Sequence, residues 1–397
     1  MAIINQSTLK SRPAPLQSKL PLVGTTIFTT MSQLANEQQA INLSQGFPDF
    51  DVPVKLAEML SHYVHTGHNQ YPPMMGLAYL RQQIAAKTQS LAAAAVDPET
   101  EITVTSGATE ALMVAIQAIV QPQDEVIVFD PAYDSYEPAV TLCQGVTRHI
   151  PLLAPRFEID WQRLKDTINA KTRLLIINSP HNPTGAVLNS TDLAQLAELL
   201  RDTDIYLLAD EVYEHMVFDG AAHHSALSHP ELRERAFVVS SFGKTYHATG
   251  WKVGYCIAPP ALTVEFRKIH QFVTFTTHTP TQWALAEFME KHPEHYLGLG
   301  EFYETKRDLF LQHMAASAFQ CLPSRGTYFQ LADYSALSDM PDTEFAIYLT
   351  KVCKVAAIPV SVFYQTPPTT RLVRFCFAKQ DDTLALAAER LSRLASA

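Results

Sequence analysis

The chain has 397 residues, 47% of them apolar and 18% charged, so it can bury a large core and does not read as a disordered chain. Lysine and arginine number 30 against 40 aspartates and glutamates, a net charge of −10, which argues against a general nucleic-acid binder because such a protein needs a basic face. Five widely spaced cysteines (Cys143, Cys256, Cys321, Cys353 and Cys376) without a C-x-x-C pair read as thiols of a reducing compartment. No apolar h-region lies between Met1 and Pro15, and no apolar run approaches about 20 residues, so the expectation is a cytoplasmic, multi-domain protein with no membrane span.

In chain order, Thr29–Ala40 and the stretches 54–66 and 76–92 carry helical spacing, for example Leu77, Leu80 and Ile84. From residue 102 a repeating pattern begins, in which short apolar runs alternate with amphipathic segments. The runs are Ile102–Thr105, Glu125–Phe129, Leu174–Asn178, Ile205–Ala209, Phe237–Ser240 and Val253–Ala258. Thr109–Val120 and Thr191–Arg201 read as helices between them, the second with capping residues in Ser190, Thr191 and Asp192. Near-continuous apolar strands alternating with helices predict an α/β domain on a mostly parallel buried sheet. Further on, Pro293–Gln312 and Thr343–Val352 read as helices, and Thr327–Leu331 and Leu372–Phe377 as strands, which suggests a smaller α+β domain. The expected division is an amino-terminal segment 1–45 joining the small domain, a large domain 46–285 and a small domain 286–397.

Ligands of such sheets sit at the carboxyl ends of the strands, so the residues there carry the functional reading. After Ile102–Thr105 come Ser106, Gly107, Ala108 and Thr109, a small-residue turn opening a helix whose N–H groups can meet an anion. Tyr133 follows Glu125–Phe129 and can stack on a flat ring. The eight residues Asn178-Ser-Pro-His-Asn-Pro-Thr-Gly185 form a rigid polar turn whose Asn178 and Asn182 amides can bind a phenolic oxygen and a carboxylate. Asp210, at the end of Ile205–Ala209, needs a cation beside it when buried, and Tyr213 follows one helical step later. Ser241-Phe-Gly-Lys244 ends the next strand. Its Gly243-Lys244-Thr245 lacks the glycine of a phosphate loop at position 238, which is Val238, so Lys244 reads as a desolvated nucleophilic amine with Lys252 as a cationic neighbour.

Together these parts fit pyridoxal 5′-phosphate, whose protein signature is a lysine that bonds its aldehyde and an aspartate that pairs its ring nitrogen. At this point the chain resembles the fold-type I, class I/II aminotransferases over nearly its whole length. The likeness is carried by the asparagine turn 178–185, Asp210-Glu-Val-Tyr213, Ser241-Phe-Gly-Lys244, Gly250-Trp-Lys-Val-Gly254 and Arg374-Phe-Cys-Phe377. Leu43-Ser-Gln-Gly-Phe-Pro-Asp-Phe50, the Ser-Tyr-Glu-Pro run at 135–138 and Lys244-Thr-Tyr-His247 bring it nearer to methionine aminotransferases and the kynurenine/glutamine transaminases.

The resemblance implies a ping-pong transamination between an amino acid, methionine first, and a 2-oxo acid, by a homodimer. It implies that Lys244 bonds the cofactor and moves the Cα proton, that Asp210 pairs the ring nitrogen, and that Tyr213 and Asn182 bond the phenolic oxygen. Tyr133 would stack on the ring. The backbone at Ala108 and Thr109, with Ser241 and Lys252, would hold the phosphate, and Tyr71 would reach the phosphate of a partner subunit. Arg374, helped by Asn182 and Gly46, would bind the α-carboxylate, although strand alternation alone leaves Arg371 and Arg374 both open. Phe28, Phe47, Tyr71, Phe275 and His278 are candidates for the side-chain pocket. Lys252 departs from the arginine common in the wider family, and His181 receives no role.

Other readings are weaker. The same site could run β-elimination on cysteine conjugates. A dinucleotide oxidoreductase would need a G-x-G-x-x-G after the first strand, and none is there. A cofactor-binding regulator would need a nucleic-acid domain, for which the amino-terminal segment is too short. Metal catalysis is not expected, since the fifteen histidines form no H-E-x-x-H.

Overall fold

The computed structural model describes residues 16–394; the Met1–Pro15 segment, in which no secretory signal is expected, lies outside the described residues. After the short β1 (Ile41–Asn42) come seven strands of one sheet: β2 (Ile102–Thr105), β3 (Glu125–Asp130), β4 (Val146–Pro151), β5 (Thr172–Asn178), β6 (Tyr206–Asp210), β7 (Ala236–Ser241) and β8 (Gly254–Ile257). Five more follow: β9 (Gln320–Cys321), β10 (Phe329–Asp333), β11 (Val355–Ala356), β12 (Ile358–Pro359) and β13 (Leu372–Cys376).

The seven-stranded sheet has the order β2-β8-β7-β6-β5-β3-β4. Its pairings are parallel except at β8, which runs against both β2 and β7. Both faces are covered, as parallel strands require. One face packs Ile127, Leu175, Ile177, Leu207 and Val238 against the helices Ala78–Ala92, Ser190–Leu200 and Thr279–Lys291. The other packs Val126, Leu174, Ile176, Leu208 and Val239 against Ala108–Ile119 and Pro260–Val273. Successive residues of one strand therefore serve two cores, which explains why these strands read as unbroken apolar runs.

The second sheet is antiparallel, in the order β12-β13-β10-β9, and buries Phe329, Val373, Phe375 and Phe377 with helices Leu299–Met314 and Asp381–Ser392. The helix Ile27–Glu37 lies beside β1, β11 and β12, and β1 pairs β11 in parallel. Asp130 at the end of β3 accepts a hydrogen bond from the backbone of Gln365, in the segment between β12 and β13, at 3.0 Å and lies 2.7 Å from His149 Nδ1.

Several expected elements shift. β4 carries no run that sequence singles out, because this edge strand is half-exposed and polar at Thr147, Arg148 and His149; its pairing with β3 over the whole of both strands is what makes it a strand. The helix expected over Thr191–Arg201 is capped by Asn189, whose side chain accepts from the Thr191 and Asp192 backbone while Asp192 reciprocates in a capping box, rather than by Ser190 or Thr191. The helix expected over Pro293–Gln312 is two, Glu294–Leu297 and Leu299–Met314, which join at Gly298. Thr343–Val352 continues from Asp342–Tyr348 into a wider-pitched turn, Leu349–Cys353. The strand expected from Thr327 starts at Phe329, since Thr327 has φ of +67°.

Gly254 opens β8 directly beneath the helix that starts at Ala108. A Cβ there would lie 2.7 Å from the Ser240 carbonyl oxygen and 2.8 Å from the Ala108 nitrogen, both fixed backbone. Gly254→Ala is therefore expected to destabilise the fold by about 1–3 kcal/mol, read as a lowered thermal midpoint; an unchanged midpoint would show that the strand–helix contact is looser than described.

Candidate active site

Because β2, β5, β6 and β7 point the same way, their carboxyl ends share one edge of the sheet, and antiparallel β8 begins there. A cavity of about 220 Å³ opens at this edge, walled by Gly107, Ala108 and Thr109, by Asn178 and Asn182, by Asp210 and Tyr213, and by Ser241, Lys244 and Lys252. Gly46, Phe28, Phe329 and Arg374 close it from the side of the smaller sheet.

Asp210 is 3% exposed. It pairs with Asn178 in the β5–β6 register. Asn178 Nδ2 donates to the Asp210 carbonyl at 2.8 Å, and Tyr136 Oη donates to its Oδ2 at 2.6 Å. Burial pushes the carboxyl up to about 6, against the pull of the Tyr136 hydroxyl and of the Lys244 amine. A carboxylate so placed attracts a cation, and the hydrogen bonds aim it. The turn after β5 is tied to the same point, with Asn178 Oδ1 accepting from the Asn182 backbone at 2.8 Å.

Arg374 is 1% exposed, on β13. It donates to Asn182 Oδ1 at 2.9 Å and to the Ser44 carbonyl at 2.8 Å, and its guanidinium lies 3.9 Å from the Phe329 ring centroid. Nη1 and Nη2 each keep a second N–H, so the fork retains donor capacity for a carboxylate. The turn that supplies Ser44 is braced by Asn42 Oδ1, which accepts from the Ser44 backbone at 3.0 Å and the Ser44 hydroxyl at 2.6 Å. Gly46 follows, and a Cβ there would lie 2.8 Å from Phe329 Cζ, so only glycine lets the turn approach. Arg371 points elsewhere, to Asp339 at 2.7 Å; this settles which of the two arginines meets the cavity.

Lys244 Nζ donates to the Gly46 carbonyl at 3.1 Å and to Tyr328 Oη at 2.8 Å. Desolvation lowers the amine to about 8, with the positive Arg374 and Lys252 acting in the same direction. It is thus able to lose its proton near neutral pH, as a nucleophile or base must. At the opposite end, Gly107 caps the helix Ala108–Ile119 with φ of +79°, and a Cβ on it would lie 3.3 Å from Lys252 Nζ. Free N–H groups of that first turn and the Lys252 ammonium make a cradle for an anion. Glu110 steadies it, with Oε2 accepting from the Ser106 backbone at 2.6 Å and Oε1 lying 2.6 Å from His270 Nδ1.

Of the residues singled out by sequence, those of the strand ends, Gly46, Arg374 and Phe28 come together here. Phe47 does not line the cavity: it is 42% exposed and sits against Lys379, whose ammonium is 4.7 Å from its ring centroid, because the chain turns outward after Gly46. Tyr71 is 83% exposed and packs edge-on against Phe275 at 5.5 Å, outside the cavity of its own chain. His278 likewise lies outside, 2.7 Å from Thr281 Oγ1. His181 is buried against Thr184 at 2.7 Å, and its burial lowers it to about 3, so it braces the asparagine turn as a neutral ring. Tyr136, Tyr328 and Phe329 were not assigned roles from sequence. The first lies in the Ser-Tyr-Glu-Pro run but on the buried face of a short helix, where a tyrosine reads as core.

Comparison with known proteins agrees with this geometry. The model of the aminotransferase class I and II family matches residues 38–391. The methionine aminotransferase of Escherichia coli (strain K12) is 52% identical over 386 residues, 97% of this chain and 100% of that protein. Kynurenine–oxoglutarate transaminase 3 of Rattus norvegicus is 36% identical, across 91% of this chain and 87% of that one. The crystal structure of Escherichia coli YbdL, reported to identify a methionine aminotransferase function, has a TM-score of 0.95 at 52% identity and covers 96% of this chain and 100% of that chain. The chain belongs to the class I and II aminotransferases. It is an aminotransferase of fold type I, and its motif likeness to the methionine and kynurenine transaminases is borne out. No helix among the described residues is long and apolar enough to cross a membrane.

The raised Asp210 carboxyl has a measurable consequence. The folded protein holds that proton more tightly than the unfolded chain, whose ordinary value is 3.8, so this group lowers stability as pH rises from about 4 to about 6. Asp210→Asn removes the desolvated charge. In protein freed of small molecules it is expected to raise stability at pH 7.5 by on the order of 2–3 kcal/mol, a gain that vanishes near pH 4. Denaturant melts of both proteins at the two pH values test this; a gain equal at both would contradict it.

Proposed function

We propose that this aminotransferase works with pyridoxal 5′-phosphate and takes methionine as its favoured amino-group donor. Aromatic amino acids and glutamine are further donors, and a 2-oxo acid is the acceptor in a ping-pong cycle. The observation that carries the proposal is the pairing of an anion and an amine in one small cavity. Asp210 is a desolvated carboxylate that requires a cationic partner, and Lys244 is an amine desolvated to about 8. The donor set fits the coenzyme: Asp210 for its ring nitrogen, Tyr213 and the Asn182 Nδ2 for its phenolic oxygen, and Tyr133 for its ring face. The first turn of Ala108–Ile119, with Ser241 and Lys252, suits its phosphate.

When bound, the coenzyme supplies an aldehyde for exchange of the amino group and a conjugated ring that accepts the electron pair left at Cα. The chain does the rest. Arg374, fixed by Asn182 and Ser44, receives the α-carboxylate and so orients Cα. Lys244 Nζ takes the proton from Cα and returns it to the reacting carbon. Asp210, kept anionic by its cationic partner and by the Tyr136 hydroxyl, holds the ring nitrogen protonated.

The cavity-lining cations are Lys244, Lys252 and Arg374. The proposed roles occupy all of them, which leaves no cavity cation for a side-chain carboxylate and favours neutral donors. Phe28 and Phe329 offer the apolar wall that a thioether or aromatic ring would meet. We further propose a cytoplasmic homodimer, in which the exposed Tyr71 and Phe275 meet a second copy and Tyr71 contacts its phosphate. The large, coenzyme-binding domain spans 46–285, and 1–45 joins 286–397 in the small domain.

Added methionine is expected to bleach the visible absorbance of the coenzyme held by Lys244, and an added 2-oxo acid to restore it. Release of ammonia and a β-eliminated product from cysteine conjugates, with no response to methionine, would move the reaction to β-elimination. Lys244→Ala should retain coenzyme without the covalent link and lose turnover at least about a hundredfold, and Asp210→Asn should slow turnover by orders of magnitude. Near-normal turnover in either variant would overturn the role given to that residue.

A further inference from the structure

Tyr328 is fully buried, next to β10, and nothing in the roles above uses it. Its hydroxyl is the meeting point of two elements. It accepts a hydrogen bond from Lys244 Nζ at 2.8 Å and donates to the Gly46 carbonyl, which also accepts from Lys244 at 3.1 Å. The amine thus sits in a closed triangle with a hydroxyl and a carbonyl. Its ammonium or amine also lies 5.3 Å from the Tyr328 ring centroid and 5.5 Å from that of Tyr213. The Tyr328 ring is fully buried and packs against the rings of Tyr213 at 5.2 Å, Phe329 at 4.9 Å and Tyr303 at 5.6 Å, which confines it. A tyrosine held only for packing would not need its hydroxyl here; the neighbouring Phe329 packs against it, ring centroids 4.9 Å apart, without one.

The Gly46 carbonyl belongs to the turn whose Ser44 carbonyl takes Arg374. One turn therefore fixes both the reactive amine and the carboxylate-binding guanidinium. Tyr328 is the side chain that closes this arrangement on the amine side.

We propose that Tyr328 is a further catalytic residue of this aminotransferase: its hydroxyl holds Lys244 Nζ against the Gly46 carbonyl, in the place from which the amine attacks the aldehyde and later takes the Cα proton. The inference rests on the proposed coenzyme chemistry. It predicts that loss of one oxygen atom slows both steps that use the free amine while leaving substrate binding to Arg374 intact.

Tyr328→Phe keeps the ring and removes the hydroxyl. Two readouts separate a catalytic from a packing role. The first is reconstitution of coenzyme-free protein with pyridoxal 5′-phosphate, followed as growth of visible absorbance; here the Lys244 nitrogen–carbon bond forms and the aldehyde oxygen leaves as water. The second is the kinetic isotope effect with α-deuterated methionine. The variant should reconstitute about tenfold to a hundredfold more slowly, and kcat should fall by a similar factor with KM within about threefold. The isotope effect should rise as proton removal becomes limiting. Reconstitution and isotope effect equal to the parent protein's, in a variant with an unchanged thermal midpoint, would overturn the proposal. Should the variant not fold, 3-fluorotyrosine at 328 keeps ring and hydroxyl but weakens the hydroxyl as an acceptor; a slowed reconstitution supports the role and an unchanged one overturns it. The parent protein is the control: failure of the parent itself to gain absorbance would refute the coenzyme reading, whereas a parent that gains it and an indistinguishable variant refute only Tyr328.

Discussion

Asp210 sits at the carboxyl end of a central parallel strand, away from solvent, where a negative charge is expensive to keep. Most of the surrounding site answers that condition. Tyr136 donates to the carboxylate, Asn178 holds its backbone, and Lys244 faces the same cavity with its amine brought down by the same loss of water. Burial acts on the two groups in opposite senses, raising the acid and lowering the base, so their values approach each other. A mutual neutralisation of this kind favours a ligand that carries its own positive nitrogen and an electrophile that consumes the amine.

The second condition is that two sheets must meet without slack. Arg374 belongs to the antiparallel sheet, yet one of its two side-chain acceptors is Asn182, from the turn after β5, and the other is Ser44. Asp130, at the end of β3, makes a similar junction with the backbone of Gln365, in the segment that leads into β13. These contacts join the sheets through short hydrogen bonds that involve buried partners, where geometry is costly to relax. The Arg374 guanidinium and the cavity edge of the larger sheet are consequently held in fixed relation.

Much of this was legible in the residues themselves. β2, β5 and β7 read clearly because parallel strands covered on both faces admit little but apolar side chains. The polar residues Asn178, Asp210, Ser241 and Lys244 stood out because such groups are out of place at the ends of buried strands unless they bind something. The edge strand β4 was not legible, since its Thr147, Arg148 and His149 interrupt any apolar run and its ladder partner decides its conformation. Tyr136 and Tyr328 were illegible for the opposite reason: a buried tyrosine looks like core, and only the position of its oxygen reveals a second purpose. Alternation left Arg371 and Arg374 equivalent until the distance to Asn182 separated them. Phe47 misled because it follows Gly46, whose tight approach to Phe329 turns the chain away from the cavity.

Phe28 stands apart from the other walls. It is half-buried, comes from the helix Ile27–Glu37 beside the smaller sheet, and makes an aromatic contact with Phe363 at 5.8 Å. Asp210, Lys244 and Arg374, which line the cavity with it, are each held by hydrogen bonds to two other segments. The apolar wall of the cavity thus comes from two places, Phe28 on the amino-terminal helix and Phe329 on β10. The Phe28 ring also lies 5.3 Å from the Arg374 guanidinium, so a change in the amino-terminal helix alters the apolar wall together with the packing on that guanidinium. On the proposed function, a smaller residue at 28 would deepen the wall from one side only and leave Lys244 and Asp210 with every hydrogen bond described for them.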